Sequence, residues 1–142
     1  MYKMLVPVDG SDNAMRAVEY AVRAAKDHKS ASIHLLTVHP EPMVYGAVTV
    51  YIDREKLTAL YREQGEALLK RAAAAAATSG VPCTQEMVFG DVAPTIAQRA
   101  DELGSDVIVM GTRGLGALGS LVMGSVATKV VHLAQRPVTL VK

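Results

Sequence analysis

Residues 111–127 read GTRGLGALGSLVMGSVA. Five glycines, Gly111, Gly114, Gly116, Gly119 and Gly124, fall within fourteen positions, a density that reads as a loop. Asp106-Val107-Ile108-Val109-Met110 precedes it, a short apolar, β-branched run with the character of a buried strand. Ser125 to Gln135 follows, with Val126, Val130, Val131 and Ala134 at helical spacing. The stretch is therefore strand, glycine-rich loop, helix. Glycine lacks a Cβ, so backbone amides can approach a ligand closely and positive φ is open to it. A helix start adds unpartnered amides and the positive end of the macrodipole. Together these make an anion site, and phosphate is the anion such a site most often meets in biology.

Working outward, the chain alternates strands and helices. Tyr2 to Val8 is apolar enough for a buried first strand and ends at Asp9-Gly10-Ser11-Asp12, a turn-and-cap cluster. The helix that follows runs to about His28, with Ala14, Ala17, Val18, Ala21, Val22 and Ala25 on one face. Ser32 to Val38 is the second strand. Residues 39–53 form a long, apolar connection of the kind that serves as a lid or partner contact. Asp53 caps a helix to about Ser79, with Leu57, Leu60, Gln64, Leu68 and Ala72 marking its inner face. Cys83 to Phe89 reads as an edge strand, and Asp91 caps a helix through Leu103. After the glycine loop and the last helix, Pro137 to Val141 makes a fifth strand.

Five strands alternating with four helices imply an α/β, Rossmann-like fold: a doubly wound five-stranded parallel sheet with helices on both faces. The order 3-2-1-4-5 makes the two most apolar strands, the first and fourth, central neighbours. The chain reverses direction between them, so the crevice at the carboxyl ends of strands 1, 2 and 4 is the expected ligand site. At 142 residues, one domain spanning 1–142 is expected.

The spacing Gly111-x2-Gly114-x9-Gly124-Ser125 resembles the nucleotide-binding signature of the universal stress protein family. The resemblance runs from Leu5-Val6-Pro7-Val8-Asp9-Gly10-Ser11 to Arg136-Pro137-Val138-Thr139-Leu140-Val141. It implies a stress-response protein that binds ATP or another adenine nucleotide as a regulatory module. It implies a binding set of Pro7, Val8, Asp9, Val38, Met110, Gly111, Arg113, Gly114, Gly124, Ser125, Val126 and Ala127. It also implies a homodimer through the final strand.

Read residue by residue, the set keeps its alternatives. A carboxylate repels phosphate, so Asp9 suits a ribose hydroxyl or a Mg2+ carried on the phosphates, or else it is a plain cap. Val38 offers backbone groups to an adenine edge or simply ends a strand. Arg113 pairs with a phosphate or is solvated. The glycine spacing has no packing explanation visible in the sequence, although glycines also serve bare turns. Ala127 stands where nucleotide-binding relatives often carry a hydroxyl, which removes one phosphate hydrogen bond, about 1 kcal/mol or somewhat more.

Other classes are disfavoured. A net charge of +1, no Trp and a single Phe give no case for nucleic acid or an acidic membrane. Cys83 alone excludes an internal disulfide and suits a reducing cytoplasm, the expected compartment. No apolar run approaches the ~20 residues of a membrane span, and no signal-peptide pattern opens the chain. His28, His34, His39 and His132 lack metal-ligand spacing and read as structural or surface groups, with only His39 near the site. There is no P-loop lysine, nucleophile elbow or metal cluster, so no catalytic and no metal-ligating residue is assigned. Slow ATP hydrolysis or autophosphorylation stays open as an alternative, as does a dimerisation module without nucleotide. A phosphorelay receiver, which shares the strand pattern, has no use for the long glycine loop.

Overall fold

The computed structural model describes residues 1–42, 53–114 and 123–142. Most of the 39–53 connection, and with it Gly116 and Gly119 of the glycine loop, lies outside them. The elements are β1 (Tyr2–Pro7), α1 (Asp12–Ala25), β2 (Ala31–His39), α2 (Arg54–Ala77), β3 (Cys83–Phe89), α3 (Val92–Glu102), β4 (Val107–Gly111), α4 (Ser125–Leu133) and β5 (Val138–Val141). All strand pairs are parallel, in the order β3-β2-β1-β4-β5 expected from the sequence.

Alternation along each strand sends successive side chains to opposite faces. Met4 and Val6 of β1 join Ile33 and Leu35 of β2 under α1 and α2, which contribute Val18, Leu69 and Ala76. Leu5, Leu36 and Ile108 face the other way, under Ile96 of α3 and Val130 of α4. β1 is thus apolar on both faces, as a central parallel strand must be. Its register runs from Tyr2 opposite Ala31 on one side to Met4 opposite Val107 on the other.

Helix starts follow the sequence closely. Ser11 caps α1, its hydroxyl accepting from the Ala14 amide at 3.1 Å. Asp53 caps α2 in the same way, accepting from Glu55 at 3.1 Å. Asp91 holds the cap position of α3, but its side chain makes no capping bond.

Helix faces depart from expectation. In α2 the buried stripe is Gly65, Leu69, Ala72 and Ala76, whereas Leu60 is 47% exposed. Three of the four are small, and at Gly65 the helix lies close to the sheet: a Cβ there would fall 2.3 Å from Sδ of Met87. In α4 Ala127 and Val130 are buried, while Val126 and Val131 face outward. α1 stops at Ala25 rather than near His28, and α4 at Leu133 rather than Gln135. Among the described residues, no helix is long and apolar enough to cross a membrane.

Candidate functional site

Three chain reversals meet at the carboxyl ends of the central strands. The first follows β1. The Val8 amide still donates to Leu36 at 2.8 Å, so the sheet holds the chain up to Asp9. Asp9 then bends the chain over itself: its Oδ1 accepts from the Ser11 amide at 2.9 Å. Gly10 takes φ +87°, the left-handed conformation that glycine adopts without Cβ strain. Arg71 of α2 donates to the Gly10 carbonyl at 3.0 Å and fixes the turn from outside.

The second reversal follows β4. The Thr112 amide donates to the Val141 carbonyl at 3.0 Å, extending the β4–β5 ladder by one residue. Asn13 of α1, 6% exposed, then takes over. Its Oδ1 accepts from the Arg113 amide at 2.7 Å, and its Nδ2 donates to Val141 at 3.0 Å. The returning leg of the glycine loop closes against the outgoing one: the Gly124 amide donates to the Thr112 carbonyl at 2.6 Å. α4 starts immediately, with Gly124 at the cap and no side chain serving it. The first helical bond runs from the Thr128 amide to the Gly124 carbonyl at 3.0 Å. An α-helix leaves the amides before that bond without an intrahelical partner, here those of Ser125, Val126 and Ala127.

The third follows β3, where the Gly90 amide donates at 3.0 Å to the carbonyl of His39 at the end of β2 and brings the start of α3 alongside. The result is a crevice of about 410 Å3. Its lining includes every residue singled out from the sequence: Pro7, Val8, Asp9, Val38, Met110, Gly111, Arg113, Gly114, Gly124, Ser125, Val126 and Ala127. It also includes Ala14, Leu36, Thr112, Val92 and Ile96, which the sequence did not assign to the site. Leu36, Val92 and Ile96 supply apolar wall from β2 and α3. The i,i+4 spacing of Val92 and Ile96 was the available signal for the α3 pair. Asp9 and Arg113 are the only charged residues in the described lining.

The glycines have a packing explanation after all. A Cβ on Gly111 would stand 2.5 Å from Oδ1 of Asn13, one on Gly114 2.6 Å from Oδ2 of Asp9, and one on Gly124 3.2 Å from the Thr112 carbonyl. None of the three has positive φ. They are glycines because neighbouring segments touch their backbone, not because the backbone is left-handed. His39 stacks on Tyr61 at 4.0 Å and meets Phe89 edge-on, and it is absent from the described lining.

A crevice over the switch point between β1 and β4 is where doubly wound α/β proteins hold ligands. The chain belongs to the universal stress protein family, whose model matches residues 1–142. A universal stress protein of Thermus aquaticus is 40% identical over 144 residues, covering 100% of both chains. Among solved structures, universal stress protein UspA of Lactobacillus plantarum is similar with a TM-score of 0.82 at 28% identity, covering 99% of this chain and 97% of that one. A universal stress protein in complex with cAMP is similar with a TM-score of 0.69 at 25% identity, covering 99% and 96%.

Proposed function

We propose that the crevice binds an adenine nucleotide, ATP in particular, and that the chain works in the cytoplasm as a nucleotide-dependent regulatory module of the stress response. The observation that carries this is the closed neck of the glycine loop. The bond from Gly124 to Thr112 sets the Gly111–Gly114 leg beside the start of α4, so that leg and the first-turn amides of Ser125, Val126 and Ala127 line one side of the crevice. Amides at a helix start favour phosphate oxygens through hydrogen bonding and the helix dipole. The complex of a related protein with cAMP supports an adenine nucleotide as the ligand class.

In this reading the phosphates lie against Gly111, Gly114, Gly124 and Ser125, with the first-turn amides of Ser125, Val126 and Ala127 donating to them and Arg113 beside them. Asp9 faces a ribose hydroxyl, and Pro7, Val8, Val38 and Met110 enclose the base. Among the described residues, no cluster of three or more His, Cys, Asp or Glu is placed to hold a metal. Mg2+ in this reading is carried on the phosphates, where it would neutralise their charge. Asp9 is the single carboxylate in the described lining, and no histidine or lysine accompanies it. That favours binding over dedicated turnover.

The reading includes a homodimer through β5. Among the described residues this strand pairs only with β4, and it ends the sheet. The test of the ligand is mass spectrometry of what the purified protein releases on denaturation. ATP or AMP in near-stoichiometric amount is expected. A nucleotide-free protein that also fails to take up added ATP in calorimetry overturns the reading.

A further inference from the structure

We propose that Asn13 is a positioning residue of the nucleotide site: it holds the Thr112–Gly114 leg in place and ties that leg to the end of β5. The inference rests on the nucleotide reading of the crevice. Asn13 is not in the described lining and has no access to a ligand there. It is buried in the first turn of α1, where a residue facing the core is normally apolar. Burying an amide side chain is costly unless its groups are paired.

Here they are paired across three elements. Oδ1 accepts from the Arg113 amide at 2.7 Å and lies 3.5 Å from the Thr112 hydroxyl. Nδ2 donates to the Val141 carbonyl at 3.0 Å. That same carbonyl accepts from the Thr112 amide. The chain has just left β4 at this point, and Asn13 takes the Arg113 amide. Gly111 accommodates the arrangement, since any side chain there would strike Oδ1. The Arg113 peptide is therefore fixed from α1, and Gly114 follows it into the crevice.

The test uses the full chain, with ATP and adenosine as probes and amide exchange of Arg113 followed by NMR. In Asn13→Ala the Arg113 amide loses its acceptor and should exchange at least tenfold faster. ATP affinity should fall about tenfold, the scale of one or two lost hydrogen bonds. Adenosine, which has no phosphate for the leg to meet, should bind as before. Asn13→Asp keeps an acceptor and should retain the Arg113 protection, which separates the contact from a general loosening of the fold. Unchanged Arg113 exchange in Asn13→Ala overturns the proposal, as does an equal loss for ATP and adenosine. A wild-type protein that binds neither ligand sinks the nucleotide reading instead. The exchange measurement then decides alone whether Asn13 holds the leg.

Discussion

Oδ2 of Asp9 lies 2.6 Å from where a Cβ on Gly114 would stand. The end of β1 and the leg after β4 thus touch across the crevice with no room for a methyl group. Asp9 cannot swing aside freely, because its Oδ1 is held by the Ser11 amide at 2.9 Å. A side chain at 114 must displace either the carboxylate or the leg.

Replacing Gly114 and Gly124 together with valine should therefore abolish ATP binding while leaving the sheet intact. At Gly124 the obstruction is backbone, the Thr112 carbonyl at 3.2 Å, so the neck itself must open. Calorimetry should detect no ATP binding, and far-ultraviolet circular dichroism should match the wild type. Unchanged affinity would place the phosphate site elsewhere.

The β5 edge offers a second prediction. The carbonyls of Pro137 and Val141 accept from Ile108 and Thr112 and so face β4. By the alternation of a parallel ladder, the amides of Val138 and Leu140 point away from the sheet. An edge strand of this kind, which among the described residues pairs only with β4, invites pairing with a second copy. Sedimentation at micromolar concentration should give a dimer. Leu140→Pro removes one outward donor without touching the β4 ladder and should shift the population to monomer. A folded variant that stays dimeric would move the interface off β5.

Gly65 and Met87 should behave as a coupled pair. A valine at 65 must push Met87 out of its packing, an overpacking cost of about 1–3 kcal/mol. Shortening Met87 to alanine frees that space, so Met87→Ala should cost less in the Gly65→Val background than in the wild type. Urea denaturation of the four proteins reads the coupling. Additive effects would mean the helix has moved instead.

Arg99 bonds both Glu86 and Glu102, and the guanidinium beside it, helped by Gln98, holds the Glu102 carboxyl below its usual 4.5. A folded-state pKa below the unfolded one stabilises the fold above the unfolded value, and this is lost as pH falls through the folded value. Any melting-temperature advantage of the wild type over Glu102→Gln should be present near pH 7 and be lost as pH falls below the usual 4.5 and through the lowered folded value. Glu102 is exposed, so the advantage should be small and should shrink in salt. A difference that grows in acid would contradict the assignment.

The strand order was legible because β1 and β4 are apolar on both faces, and only central strands need that. The crevice residues were legible because they sit at strand ends or in one spaced glycine run, positions that connectivity alone brings together. Asn13 was not. It follows the cap cluster Asp9–Asp12 with nothing in the sequence to single it out, and only the packing of α1 against β4 buries it. The inner face of α2 was read correctly at Leu68 and Ala72 but not at Leu60 and Gln64. Leu57 and Leu60 have the composition of a core stripe, but the helix contacts the sheet through smaller residues further along. The glycine spacing was noticed while its cause was not. Close approach to Asn13, Asp9 and Thr112 is a property of the assembled walls, and no window of sequence contains it.

The central place of β1 also has a consequence for synthesis. Tyr2–Pro7 is made before the strands it pairs with, and the ladder to β2 and then β3 can zip as soon as residues 31–39 and 83–89 have emerged. The other edge of β1 waits for Val107 and Ile108. Until the ribosome has passed those codons, Met4, Leu5 and Val6, almost fully buried in the finished fold, lie along an open strand edge. The nascent chain is thus most prone to mispairing along the strand at the middle of its finished sheet, and a pause in translation before residue 107 prolongs that interval.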